Sequence, residues 1–320
     1  MKQYVTGMLL LSVLTTASAG DMGPQQSSSP CCRWTIGGEL SYLRPDGAMI
    51  DYATEMVFVT PTVVAAHGSY VNPSYEPSWS AFVKYNWTPQ ADIQFRTTHF
   101  DHEFGSSVTI PDSLLVVNST LVSDFFGGAA GKVLFDLDNY ELSIGANINA
   151  SQSGWRLRPY TGLHYVEEND RLIQRFYRSD AAFVHYLTSR FRGIGPIIGL
   201  ESHYPLFDRL TLKNDFTLGF LIGDADMRTM GDINDAPIQP ITYIDFKNFD
   251  RERLVPYGFL DIGLQYDLPL GAYEAGINGG FKVIYYDDIH GRRAGTGPND
   301  PLRLNYVTYY GPYIGVQIRA

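Results

Sequence analysis

The chain has 320 residues, 34 of them acidic against 24 basic, and a formal charge of −10. So acidic a protein offers no basic face for phosphates, which argues against nucleic acid as a partner. With 22 Tyr and 31 Gly, and no apolar run near the roughly 20 residues a membrane helix needs, it reads as an exported all-β protein.

Residues 1–19 have the pattern of a secretory signal. Lys2 precedes a mostly apolar stretch over 5–14, and Ala17-Ser18-Ala19 forms an A-x-A cleavage site before Gly20. Residues 20–33, rich in Ser, Gln, Gly and Pro, read as a flexible leader. The two cysteines, Cys31 and Cys32, are neighbours. Adjacent Cα atoms lie about 3.8 Å apart, below the roughly 4.4 Å minimum of ordinary disulfides. Two readings stand: an intermolecular disulfide in an oxidising compartment, or a pair of free thiols.

From Trp34 the odd–even pattern begins. Trp34, Ile36, Gly38, Leu40 and Tyr42 alternate with Thr35, Gly37, Glu39 and Ser41, so a strand has one apolar and one polar face. A long segment over 44–78 follows, in which a strand over 56–60 is weakened by Pro61. Residues 79–87 set Trp79, Ala81, Val83, Tyr85 and Trp87 against Ser80, Phe82, Lys84 and Asn86. A short turn leads to 91–100, with Asp92, Gln94 and Arg96 on the polar side, and then to an expected loop over 101–132. The hairpin over 140–165, broken near 150, places Tyr140, Leu142, Ile144, Trp155, Leu157 and Leu163 on a face without charge. Glu141, Arg156, Arg158 and His164 occupy the other. The segment 167–190 reads as an extension of the flanking strands. Further strands follow over 193–204, 210–221, 259–267, 273–285 and 306–319, with a charged loop expected over 223–255 and a last loop over 287–305.

Ten strands result, or twelve if another hairpin is hidden in 44–78 or 167–190. Short and long connections alternate, as in a transmembrane antiparallel up-and-down β-barrel with short periplasmic turns and long extracellular loops. A single barrel over 34–320 accounts for the chain.

A water-soluble sandwich alternates in the same way, but three features favour lipid. All four tryptophans fall on the apolar face. Trp34, Trp87, Trp155, Tyr204, Tyr266 and Tyr273 sit at strand ends on the short-turn side, as a membrane-interface girdle would. Charges keep to the opposite face, where Glu39, Asp92, Glu201 and Asp215 accompany Lys213 and a lumen set of Lys84, Arg96, Glu141, Arg156, Arg158, Asp261, Glu274 and Lys282. A Lys or Arg facing lipid at mid-bilayer would cost roughly 2–4 kcal/mol.

The lumen set either lines an aqueous path or closes into a plug, since eight-stranded barrels are filled by side chains. Association of several barrels is a further expectation. His99, Asp101, His102 and Glu103 are candidates for a metal site or an acid–base pair at the rim. However, His99 and Glu103 are ligand-spaced only on a helix, and polar surface residues at a barrel rim are the commoner case. No phosphate-binding loop or nucleophile elbow occurs, so no enzyme, metal or cofactor is expected.

Several short stretches resemble one family, the Legionella-type major outer membrane porins. They are Gly20-Asp21-Met22-Gly23-Pro24, Trp34 through Tyr42-Leu43-Arg44-Pro45, His99-Phe100-Asp101, Gly195-Pro196, Gly199-Leu200, Val255-Pro256 and Gly311-Pro312-Tyr313-Ile314-Gly315. The resemblance implies a Gram-negative outer-membrane barrel that lets ions and small hydrophilic solutes diffuse, with His99 and Asp101 as strand-end features. The chain departs from the family in its adjacent cysteines, and from the many outer-membrane barrels that end in an aromatic residue in ending Ile318-Arg319-Ala320. The alternative reading is a structural or adhesive barrel with a plugged lumen, whose long loops bind a partner.

Overall fold

A computed structural model describes residues 33–47, 51–60, 63–109, 114–116, 125–149, 154–177, 181–235, 242–271, 273–290 and 306–320. The expected export signal, Cys31 and Cys32 lie outside the described residues, as does nearly all of the expected leader. Residues Arg33–Ala320 form one compact unit.

Ten strands make the barrel: β1 (Trp34–Gly47), β2 (Glu76–Thr88), β3 (Ala91–Thr109), β4 (Gly128–Ala146), β5 (Arg156–Tyr177), β6 (Ala181–Phe207), β7 (Leu210–Asp235), β8 (Thr242–Leu270), β9 (Tyr273–Tyr286) and β10 (Val307–Arg319). Each pairs antiparallel with its chain neighbours, and β1 pairs with β10 to close the ring. Closure leaves no sheet edge in the barrel, which a lipid environment requires. The hairpin within 44–78 does exist, as Asp51–Thr60 and Val63–Tyr70. It joins Leu114–Val116 and Phe125–Phe126 in a separate four-stranded sheet, so the barrel count stays at ten.

The loops expected over 101–132 and 223–255 are largely strand. β3 runs on to Thr109 and β4 starts at Gly128; β7 reaches Asp235 and β8 begins at Thr242. The sequence lost them because the outward positions turn polar above the lipid. On β3, Asp101 and Glu103 are exposed while Phe100 and Phe104 are buried. The period of two persists, but the outer stripe that makes it visible ends.

Outward residues of the lower half are apolar and accessible, among them Ile36, Leu142, Leu163, Ile198, Phe216, Ile262 and Ile314. Water does not tolerate an apolar belt on this scale, whereas lipid needs one. Trp79 and Trp87 bracket it on β2, about 26 Å apart along the strand, or about 20 Å in height at the usual tilt of roughly 35–45°, against the ~25 Å apolar band of such barrels.

The interior has two zones. In the extracellular half, Leu43, Phe100, Phe135, Leu137, Leu172, Phe176, Phe191, Tyr286 and Tyr309 are fully buried. The Tyr309 ring takes Phe100 and Phe135 edge-on, at 5.4 and 6.3 Å between centroids. The periplasmic half is polar and charged.

The closing seam depends on Gly311 of β10. A Cβ there would run into the carbonyl oxygen of Tyr42 on β1. Gly311→Ala should therefore cost about 1–3 kcal/mol through overpacking. The readout is the fraction of protein that keeps the compact, heat-modifiable gel mobility of a closed barrel; an unchanged fraction at every urea concentration would refute it.

Candidate functional site

Lipid outside forces the charged positions of each strand inward, and the narrow interior brings them together. Cα register places Arg158, Glu201, Asp215, Asp261 and Lys282 side by side on five consecutive strands, β5 to β9. Arg96 and Glu141 are register partners on β3 and β4. The result is a belt of charge at one level of the barrel.

The belt has an acidic wall, Glu201, Asp215 and Asp261 on β6–β8. Cations reach it from the facing wall. Arg96 on β3 meets Asp215 across the lumen at 3.0 Å, and Lys84 on β2 meets Glu201 at 3.5 Å. Arg158 donates from Nε and Nη2 to Asp92, at 2.9 and 2.6 Å, and lies 3.4 Å from Glu201 through Nη1. Its guanidinium also covers the Tyr160 ring at 4.9 Å. Tyr160 donates its hydroxyl to Asp215 at 2.7 Å, and His203 Nε2 lies 2.7 Å from Glu201. Lys213 pairs with Asp261 at 3.5 Å, and Lys282 with Glu39 at 2.6 Å beneath the Tyr313 ring.

Six of the eight expected lumen residues thus converge on the belt: Lys84, Arg96, Glu141, Arg158, Asp261 and Lys282. Arg156 and Glu274 do not. Arg156 is exposed at the start of β5, and Glu274 pairs at 3.3 Å with Arg319 at the periplasmic mouth. The girdle aromatics Trp34, Trp87, Trp155, Tyr204, Tyr266 and Tyr273 are all exposed on the outer surface. A second outward row, Tyr42, Trp79, Tyr140 and Tyr285, marks the opposite interface and was not singled out from the sequence.

The rim cluster is dispersed into cross-strand pairs. His99 Nδ1 lies 2.8 Å from Asp138 on β4, Glu103 pairs with Lys132 at 2.7 Å, and His102 Nε2 lies 2.7 Å from the Pro77 carbonyl oxygen. Higher up, inside the barrel, lies an acid pair, Glu168 and Asp170, that no apolar–polar alternation in the sequence marks. Burial raises the Glu168 carboxyl to about 8. Burial, with Glu168 beside it, raises that of Asp170. Nearby, burial and then the Arg253 charge lower His290 to about 4.

The sequence is matched over residues 28–320 by the family model described as Legionella pneumophila major outer membrane protein precursor. No curated protein matches it. Among solved structures it is similar to the outer membrane protease OmpT of Escherichia coli, with 9% identity, 92% of this chain and 99% of that one covered, and a TM-score of 0.46. For the translocator domain of the autotransporter NalP of Neisseria meningitidis the values are 8%, 98%, 95% and 0.36. For the toluene transporter TodX of Pseudomonas putida they are 10%, 89%, 89% and 0.31. Likeness at these scores carries no functional argument.

Proposed function

Because the chain belongs to the family of the Legionella pneumophila major outer membrane protein and so resides in a Gram-negative outer membrane, we propose that it is a narrow-lumen porin. Ions and small hydrophilic solutes diffuse past the charged belt, with no cofactor and no covalent step. The observation that carries this reading is the acidic wall of β6–β8, met across the lumen by cations from β2 and β3 and flanked by Arg158 of the adjacent β5. Buried ion pairs recover their desolvation cost poorly, and apolar residues would fill a purely structural lumen at equal or lower free energy. A mixed-charge belt fits a lumen that admits water. At rest the pairs hold the passage shut. Glu201 has Lys84, Arg158 and His203 all within reach, so partner exchange around it opens the belt, and passage also requires the apolar cluster above it, with Phe100, Phe135 and Tyr309, to part.

Single-channel recording in planar bilayers tests the proposal. Folded wild-type protein should give small, infrequent conductance steps, and Asp215→Asn should lengthen the open periods by releasing Arg96. Silence from both folded proteins would refute diffusion through the lumen. That outcome would favour a second reading, which rests on the fully buried cluster of Leu43, Phe100, Phe135, Leu172 and Tyr309: a permanently closed barrel whose extracellular wall binds a partner.

A further inference from the structure

Three side chains in the extracellular half of the barrel take no part in the belt. Glu168 and Asp170 lie two residues apart on β5 and therefore point to the same, inner side. His290 follows the end of β9. Each is 1–2% exposed, and one donor atom from each falls within 4.8 Å of the others. Both carboxylate oxygens of Asp170 and the Nε2 of His290 are shielded from solvent yet lack a hydrogen-bond partner. His290 Nε2 and Asp170 Oδ2 are 3.2 Å apart but not aligned for a hydrogen bond between them.

We propose that Glu168, Asp170 and His290 bind a divalent transition-metal cation of the zinc class. The spacing fits. Donors bound at 2.0–2.1 Å to one tetrahedral ion stand about 3.3 Å apart, close to the distance between Nε2 and Oδ2. The donor set also fits: an imidazole nitrogen with two carboxylates suits zinc or manganese, whereas calcium prefers oxygen alone. A dication balances two acids enclosed among apolar side chains.

The surroundings orient the ligands as metal sites require. His290 Nδ1 lies 3.2 Å from Ser189 Oγ. When Nδ1–H donates to that hydroxyl, Nε2 keeps its lone pair for the ion. The Tyr309 hydroxyl donates to Glu168 Oε1 at 3.1 Å, which fixes the carboxylate. Arg253 Nη1 donates to the carbonyl oxygens of Asp288 and His290, at 3.3 and 3.2 Å, and holds the segment after β9 against the barrel. Asp288 there takes φ 52°, the left-handed conformation of a tight bend. A bound ion would tie β5 to the segment that begins the last extracellular connection.

The test is cobalt(II) titration of the folded protein in detergent after removal of metal with EDTA, with zinc competition. One equivalent of cobalt should give saturable visible d–d absorption, which zinc abolishes. Asp170→Asn and His290→Ala should eliminate saturable uptake. Ser189→Ala should weaken it about 10–100-fold, as loss of an outer-shell partner does. His99→Ala controls for the outer-surface group His99, Asp136 and Asp138 and should leave uptake unchanged. Heat-modifiable gel mobility confirms that each variant is folded. Three results would overturn the assignment: no saturable uptake by folded wild type, equal uptake by folded Asp170→Asn and His290→Ala, or loss of uptake in His99→Ala alone.

Discussion

Arg158→Met should destabilise the folded barrel by about 3–5 kcal/mol, the usual consequence of removing one partner from a buried ion pair. Asp92 is fully buried, and Arg158 supplies its only cation within ion-pair distance among the described residues. Without Arg158, Asp92 keeps the Asn147 amide at 3.0 Å and the more distant charge of Lys84, with no cation in ion-pair contact among the described residues. Glu201 suffers less, because Lys84 and His203 remain. The neighbouring strand is built around this guanidinium: a Cβ on Gly145 would stand 2.5 Å from Arg158 Nε. Urea unfolding followed by tryptophan fluorescence measures the loss. Replacing both members, as in Arg158→Met with Asp92→Leu, should recover most of it, since a matched apolar pair is often neutral. A single-variant loss below about 1 kcal/mol would show that water reaches Asp92 and replaces the arginine.

Leu142→Arg should cost about 2–4 kcal/mol, the penalty for a cation on the lipid face near the midplane. Leu142 is 46% exposed on the outer surface and is flanked in register by Phe95 and Leu163, so the arginine would meet hydrocarbon on both sides. The comparison is Tyr177→Arg, at the extracellular end of β5 and also outward, which should cost no more than about 1 kcal/mol, as expected near or beyond the interface. Unfolding of both variants refolded in phosphocholine vesicles gives the numbers. Equal losses at the two positions would contradict the placement of the apolar band.

The lower half of the barrel was legible in the sequence because lipid imposes a rule on it. Every outward position from Tyr140 to Ile148, or from Leu210 to Phe220, is apolar or neutral, and every charge sits between. Above the lipid the rule lapses: Glu167, Asn169 and Arg171 alternate with Glu168, Asp170 and Leu172, and neither face announces itself. The inward direction of Arg96, Asp215 and their companions could be read for the same reason, but not who pairs with whom. Arg96 and Asp215 are 119 positions apart, and their meeting depends on the stagger and width of the closed ring. His290 lay in a stretch with no period at all, so only the folded chain brings it to Asp170.

The strands that climb past the membrane have a consequence for how this surface can change. In a flexible loop, a substitution alters shape and chemistry together. Here the outward positions ride on a hydrogen-bonded wall whose inner face is held by Phe100, Phe135, Leu172 and Tyr309. Residues such as Asp101 and Arg175, or the exposed pair Glu103 and Lys132 taken together, can be exchanged without moving the backbone that carries them. What the cell shows to its surroundings is free to drift, while the architecture that displays it stays fixed.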